Sequence, residues 1–196
     1  MGSEKRRVQT DEDKKMTAYH EAGHAIVNFA EKLDPVDRIS IVSRGMALGF
    51  TLIPPSKDKI HETKSNLIKQ MAMAMGGRAA EEIVFGDMTT GASSDIQQAT
   101  KIAREMVTNW GMSKLGPVNL GSQITGGEYG DSYLEPSQVS DGMKAEVDEE
   151  IQRFVDEAHK EAIKILKKDR KRMDEIVKVL VKKETLGRED FEKLMR

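Results

Sequence analysis

The chain has 196 residues and a mass of 21.9 kDa, which is enough for one domain of ordinary size or two small ones sharing a core. It carries 31 lysines and arginines against 33 aspartates and glutamates, so the net charge of -2 argues against a basic nucleic-acid-binding surface. No stretch approaches the ~18 consecutive apolar residues that a membrane-spanning helix needs, and the N-terminus has no signal-peptide core. We therefore expect a soluble chain with no membrane segment and no nucleic-acid partner.

The absence of cysteine restricts the chemistry further. Disulfides, thiol nucleophiles and cysteine-based zinc sites are all excluded, so any metal must be held by histidine and carboxylate side chains. The tripeptide Met1-Gly2-Ser3 is typical of an expression-vector remnant, and we expect residues 1–10 to be this remnant and a linker. Residues 11–196 are then expected to form the folded domain.

A long helix followed by a small β hairpin is predicted at the start of that domain. The residues Thr10 to Asp13 have the form of a capping box, and apolar residues at helical spacing predict a helix over about 11–32. Alternating apolar residues at 39–41 and 48–52 predict two short strands joined through Arg44-Gly45.

Helical patterns resume at Thr63 and continue to about residue 84, interrupted by Gly76-Gly77. Glycine costs about 1 kcal/mol relative to alanine inside a helix, so we expect a kink or the close approach of another group at this pair. A loop of small residues at 89–94 then leads into a helix whose apolar face runs from about 96 to 110.

The last third of the chain is predicted to begin with a mobile surface loop at about 121–136, because glycine is frequent and apolar side chains are few there. Three amphipathic helices are predicted over about 140–196, with apolar residues at 143–166, 173–181 and 191–194. The predicted fold class is mostly α with one small β hairpin.

The clearest chemical signal is the motif His20-Glu21-Ala22-Gly23-His24. Residues four apart lie on one face of a helix, so His20 and His24 can reach one metal ion while Glu21 projects beside it. Zinc lowers the pKa of bound water to roughly 7 and polarises a carbonyl, and a carboxylate can act as the base. A chance occurrence on a surface helix is the alternative, but the histidines border the apolar stripe, which favours a metal site.

A catalytic zinc site needs a third protein ligand and an open position. The remaining histidines, His61 and His159, have no local context that indicates a metal, so a carboxylate is expected. Asp95 begins a helix, where the helix dipole favours its ionised form, although helix capping explains it equally well. Exposed ion pairing is the alternative for the two adjacent glutamates of the 81–82 turn. The carboxylates considered are Glu31, Glu81, Glu82, Asp87 and Asp95.

Five segments of the chain resemble the protease domain of the FtsH family, membrane-anchored ATP-dependent zinc proteases that include the mitochondrial paraplegin-like enzymes. They occur in the family's order and span nearly the whole chain, with a weaker match from Glu184 to the end. The segments are HEAGHAIV at 20–27, RGMALG at 44–49, GGRAAEEI at 76–83, TGASSDI at 90–96 and MVTNWGM at 106–112.

The resemblance implies a helical zinc metalloprotease domain with one zinc per chain. His20, His24 and Asp95 are implied as the zinc ligands, and Glu21 as the general base that acts on the zinc-bound water. Glu81 matches a glutamate that lies close to the metal in this family and was a rival for the third ligand position. We expect it to support the ligands rather than to bind the ion.

The resemblance also implies a substrate-binding strand, which receives polypeptides by backbone pairing. A simple core hairpin is the equally weighted alternative for these residues. The strand consists of Met46, Ala47, Leu48, Gly49 and Phe50.

The family's ATPase module is not part of this chain, since nothing in it fits the P-loop pattern G-x-x-x-x-G-K-[ST]. The chain is therefore expected to be the zinc peptidase domain of a longer protein, with the metal site within about 11–112. The resemblance implies ATP use only in the missing module, unfolded polypeptides as substrates in protein quality control, and a homo-hexamer. It also implies a membrane anchor, with this domain facing the cytoplasm or an organelle interior.

Two alternatives belong to other classes. A catalytically idle oligomerisation domain of the same ring would be expected to lose Glu21 or a metal ligand, and all of these residues are present. An unrelated zinc hydrolase or zinc-binding adaptor with a fortuitous motif is disfavoured by the four further segments that occur in order. The expected function is thus zinc-dependent hydrolysis of peptide bonds.

Overall fold

The computed structural model describes residues 10–43, 48–56, 60–121 and 139–196, and the backbone of two short strands between the last two ranges. Helix α1 (Asp11–Ala30) begins with the predicted capping box. The Thr10 hydroxyl accepts a hydrogen bond from the Asp13 N–H at 3.1 Å, and the Asp13 carboxylate accepts one from the Thr10 N–H at 3.0 Å. Two otherwise unpaired backbone donors are satisfied, which fixes where the helix starts.

A three-stranded antiparallel sheet packs beside α1. β1 (Arg38–Ser40) pairs with β2 (Phe50–Leu52), which confirms the predicted hairpin, and Ile39 lies opposite Thr51. On its other side β1 pairs with β5 (Thr185–Gly187), a strand that the sequence did not predict. Three residues between two helices are too few to show an alternating pattern, so the pairing depends on tertiary contacts. Among the described strands the order is β2-β1-β5, so β2 is an edge strand in this part of the chain.

The predicted interruption at the glycine pair is confirmed. α2 (Lys64–Ala74) has Met75 as its C-cap, and α3 (Gly76–Phe85) begins at the next residue as a separate helix. A Cβ at Gly76 would lie 2.7 Å from the carbonyl oxygen of Gly23 in α1, so the two backbones cross with no room for a side chain. The glycines therefore permit the close approach of α3 to α1.

The remaining helices of the described residues are α4 (Ser93–Thr108), preceded by a 3₁₀ turn, then α5 (Asp141–Lys168), α6 (Arg170–Lys183) and α7 (Arg188–Met195). The mostly α fold class is confirmed. None of the helices within the described ranges combines the length and apolar character needed to cross a bilayer.

Two further strands, β3 (Ile124–Gly126) and β4 (Ser132–Leu134), form an antiparallel pair. They lie within the segment 121–136, whose mobility stays a prediction. Residues 1–9, expected to be a vector remnant and linker, and the predicted Arg44-Gly45 connection lie outside the described residues.

Helix α1 occupies the centre of the molecule. It is buried almost continuously from Thr17 to Asn28 and packs against α2, α3, α5 and α6. A helix enclosed in this way holds its side chains in fixed directions, which matters because it carries the histidine motif. The largest fully buried side chains of the described residues include Ile26, Met71, Met106, Phe154, Leu166 and Phe191.

Candidate metal centre

The two histidines of the motif point to a common position on one face of α1. The ring centroids of His20 and His24 are 4.8 Å apart, and the two Nε2 atoms are separated by 3.1 Å. His20 packs directly over Gly77 of α3, where any Cβ would overlap its ring. The second glycine of the predicted pair therefore makes room for the imidazole.

Asp95 reaches the same position from the first turn of α4. Its Oδ2 atom lies 3.1 Å from His20 Nε2 and 3.5 Å from His24 Nε2. Helix capping, the alternative explanation for this residue, is wrong: the N-cap of α4 is Ala92 and no side chain caps the helix. The carboxylate is directed at the histidines instead.

The spacing of these three atoms fits a small divalent cation. A tetrahedral ion with ligand bonds of 2.0–2.2 Å requires its ligand atoms to be about 3.3–3.6 Å apart. The observed separations are 3.1, 3.1 and 3.5 Å, so small adjustments would bring all three atoms to bonding distance. Within the described residues, His20, His24 and Asp95 are the one group of three potential ligands close enough to share an ion.

The opposite edges of both rings are held by hydrogen bonds. His24 Nδ1 donates to the backbone carbonyl of Met73 at 2.8 Å, so its Nε2 lone pair is available to a metal. His20 Nδ1 lies 2.8 Å from Oε1 of Glu81, which is only 2% exposed. Thr89 in turn donates to Glu81 from its N–H at 2.7 Å and from its hydroxyl at 3.2 Å. Both imidazoles are thus fixed with Nε2 facing Asp95.

The charges around His20 favour a positive charge at the site. Burial lowers the pKa of His20, but hydrogen bonds with Asp95 and Glu81 outweigh burial and raise it to about 9. Burial raises the pKa of both carboxyls, and the histidine contacts more than offset this, so the pKa of Asp95 and of Glu81 lies below its ordinary value. The ionised carboxylates of Asp95 and Glu81 therefore favour either a proton on His20 or a metal cation in place of that proton.

Glu21 lies on the same helix and is 7% exposed. Its Oε2 atom accepts a hydrogen bond from the Thr51 hydroxyl of β2 at 2.8 Å. Its negative charge contributes to the raised pKa of His20, which places the carboxylate within electrostatic reach of the metal-binding face. Glu21 is thus a buried, ionisable side chain next to the three potential metal ligands.

The other carboxylates considered from sequence do not join this group. Glu31 pairs with Lys69, and Glu82 pairs with His159 at 3.2 Å. Asp87 accepts a hydrogen bond from the adjacent N–H of Met88.

Exposed ion pairing, the alternative for residues 81 and 82, is wrong for Glu81, because this side chain is buried against His20. Sequence reasoning missed Thr51, Thr89 and the Met73 carbonyl. No local pattern marks these groups, since each contacts a residue of another element, 8 to 49 positions away in sequence.

Of the predicted substrate strand, the structure describes Leu48, Gly49 and Phe50, whereas Met46 and Ala47 lie outside the described residues. Phe50 begins β2, and Gly49 passes so close to α1 that a Cβ would lie 3.0 Å from Cγ of Glu21. The strand therefore runs directly past the candidate base.

Two histidines one helical turn apart, an acid from a second helix and a buried adjacent glutamate form the arrangement typical of metal-dependent peptidases of the H-E-x-x-H class. Comparison with protein families agrees: residues 7–194 match the model of peptidase family M41. The chain belongs to this family.

Individual proteins that resemble the chain are named as zinc metalloproteases. The chain is 44% identical to ATP-dependent zinc metalloprotease FtsH 1 of Conexibacter woesei, over 99% of this chain and 30% of the relative. It is also 44% identical to ATP-dependent zinc metalloprotease FtsH of Caldicellulosiruptor bescii, over the whole chain and 32% of the relative. The chain thus spans about a third of the length of the curated relatives it matches.

Proposed function

We propose that this chain is the zinc-dependent endopeptidase domain of an ATP-dependent, membrane-anchored protease that hydrolyses peptide bonds in unfolded or misfolded proteins. One observation carries the proposal: His20 Nε2, His24 Nε2 and Asp95 Oδ2 converge at separations of 3.1–3.5 Å beside the buried Glu21. The relatives are zinc metalloproteases by name, which supports zinc as the ion.

His20, His24 and Asp95 would hold the ion, and three protein ligands would leave a position open for water or substrate. Bound zinc supplies Lewis-acid chemistry, lowering the pKa of a water ligand to about 7 and polarising the scissile carbonyl. Glu81 and the Met73 carbonyl keep His20 and His24 in the orientation that directs Nε2 to the ion. These residues position ligands and do not touch the substrate.

Glu21 is the proposed general base. Its Oε2 atom accepts the Thr51 hydrogen bond, whereas Oε1 has no hydrogen-bond partner among the described residues, so we assign Oε1 as the oxygen that accepts a proton from the attacking water. The same carboxyl then donates this proton to the leaving amine nitrogen as the C–N bond breaks. Burial at 7% exposure limits competition from bulk water for the carboxylate.

Substrate binding is proposed at the edge of the sheet, along Met46, Ala47, Leu48, Gly49 and Phe50. The support is the position of β2, which is an edge strand in the described sheet and passes Glu21. Backbone pairing with an edge strand is largely independent of side chains, so an extended polypeptide of many sequences could align there.

The complete protein is proposed to contain an ATPase module and a membrane anchor and to assemble as a homo-hexamer with this domain in the cytoplasm or an organelle interior. The FtsH relatives support this proposal, because this chain covers only 30–32% of their length. ATP would act only in that module. A catalytically idle oligomerisation domain is the second candidate, and the intact set of Glu21 and three ligands disfavours it.

The proposal is tested with the purified chain, zinc analysis and an unfolded substrate such as casein. Glu21→Gln removes the base while keeping the side-chain shape, so we expect about one zinc per chain and at least a 100-fold loss of degradation. Glu12→Gln, an exposed substitution on the same helix, is the matched control and should retain full activity. A Glu21→Gln variant as active as the control would reject Glu21 as the base, and zinc-free, inactive wild-type protein would favour the idle domain.

A further inference from the structure

From the contacts of β2 with α1, we infer that Thr51 is a positioning residue that sets the orientation of the Glu21 carboxylate. The inference rests on the proposed function, in which Glu21 is the base. Of the residues that the structure describes, Thr51 donates the one side-chain hydrogen bond to this carboxylate, at 2.8 Å to Oε2. Thr51 is therefore the group that decides which carboxylate oxygen is left to take the proton.

The hydroxyl of Thr51 also lies 3.1 Å from the backbone carbonyl oxygen of Glu21. Both potential acceptors thus belong to one residue, and the single hydroxyl hydrogen can be directed to either of them. A hydrogen bond to an ionised acceptor is the stronger of the two types, so the carboxylate contact is favoured. This contact fixes the terminal torsions of a side chain that otherwise rotates about three bonds.

The backbone around Thr51 is built to make this contact. Gly49 lies two residues before Thr51, on the same side of the chain. There is no space for a side chain at this position, because a Cβ there would lie 2.7 Å from Thr17 Cγ2 and 3.0 Å from Glu21 Cγ. The chain can therefore approach α1 closely enough for the next residue on that side to reach the glutamate. Pairing of Thr51 with Ile39 of β1 fixes its position along the strand.

The arrangement links substrate binding to the base. β2 belongs to the segment that we propose pairs with the polypeptide, and one side chain of this strand holds Glu21. Thr51 therefore fixes the position of the Glu21 carboxylate relative to a polypeptide that pairs with this strand. Because this role acts on the transition state and not on pairing, loss of the hydroxyl should lower kcat and leave KM unchanged.

The test compares Thr51→Val, which removes the hydroxyl at nearly constant volume, with Thr51→Ser, which keeps it. We expect Thr51→Val to lower kcat about 10-fold, with KM and zinc content within twofold of wild type, and Thr51→Ser to recover kcat to within threefold. Thr185→Val is the matched control, because this threonine lies in β5 of the same sheet and bonds with Ser40 instead of Glu21. Thr51→Ala, which introduces no new atoms, carries the same expectation should the valine variant fail to fold.

A second readout does not depend on activity. In metal-free protein, a double-mutant cycle with Glu21→Ala and Thr51→Val should show that Thr51→Val lowers the denaturant midpoint more when Glu21 is present than in the Glu21→Ala background, where the hydroxyl keeps only its contact with the backbone carbonyl of residue 21. Unchanged kcat in Thr51→Val, failure of serine to restore it, or equal midpoint shifts in both backgrounds would overturn the inference. An active Glu21→Gln variant would instead reject the proposed function, so the two failures are distinguishable.

Discussion

The carboxylate of Asp95 lies 3.1 Å from His20 Nε2, although the two residues are 75 positions apart in sequence and belong to different helices. Asp95 is in the first turn of α4 but does not cap that helix. The start of α4 is instead oriented so that this side chain meets the histidine face of α1. An acid is favourable in the first turn of a helix, and here that acid, Asp95, completes a group of potential metal ligands between α1 and α4.

Asp95 and Glu81 are expected to differ in their effect on zinc affinity. Asp95→Ala removes a direct ligand, so we predict a loss of zinc affinity greater than 100-fold. Glu81→Ala removes only the partner of His20 Nδ1, and a loss of about 10–100-fold is expected. Competition with a chromogenic chelator measures both constants, with the exposed Asp87→Ala as control. The reverse order would make Glu81 the third ligand.

Zinc is expected to stabilise the folded chain, because the ligands come from two helices that separate on unfolding. At free zinc 100 times the dissociation constant, stabilisation of about 2.7 kcal/mol is predicted. Denaturant unfolding with zinc and with excess chelator measures the difference. Asp95→Ala should show little of it at the same zinc concentration, and equal stabilisation of both proteins would place the ion elsewhere.

The crossing of α1 and α3 should tolerate no side chain at Gly23, where a Cβ would lie 2.8 Å from the Cβ of Ala80. We predict that Gly23→Ala destabilises the protein by about 1–3 kcal/mol through overpacking. Gly142→Ala in α5 is the matched control, since no atom lies within 4 Å of a Cβ there. It should be neutral or stabilise by up to about 1 kcal/mol. Equal midpoints for the two variants in urea unfolding would show that the crossing is looser than described.

Glu150 should make the stability of the fold dependent on acidic pH. The pKa of this buried carboxyl is lowered from an ordinary value of 4.5 to about 2. Hydrogen bonds from Arg153 are the main cause of the decrease, and contacts with Lys114 lower the pKa further. Because the pKa is lower in the folded state, the stabilisation is complete above about pH 4.5 and is lost as the pH falls towards 2.

The corresponding measurement is urea unfolding of wild type and Glu150→Gln between pH 7 and pH 2.5. We expect the variant to be about 2 kcal/mol less stable at pH 7 and the difference to shrink below pH 4. Glu149→Gln, an exposed neighbour on the same helix, is the control and should follow wild type. A difference that is constant across this pH range would contradict the assignment of the shift to Glu150.

Local patterns were sufficient to predict much of the fold. The capping box at Thr10, the apolar spacing of α1 and the histidine pair all depend on residues within one or two helical turns. The glycine pair predicted a close approach, and the structure supplies the partner, Gly23, which the sequence could not identify. Periodicity reports which face is buried but not what buries it.

Contacts between distant segments explain what local patterns could not predict. Spacing alone left Asp95 as one of five carboxylates, and only the family resemblance selected it. β5 forms because Thr185–Gly187 meets β1, and the partner of Glu21 is Thr51, a residue of another element. Pairings of this kind depend on how the helices pack, so no short motif contains them.

Anomalous diffraction at the zinc edge, from crystals of the Glu21→Gln chain grown with zinc, shows which residues hold the ion. We predict one strong peak per chain, about 2.0–2.2 Å from His20 Nε2, His24 Nε2 and a carboxylate oxygen of Asp95. A peak coordinated by other residues, or a fully ordered site with Asp95 turned away from the ion, would contradict it.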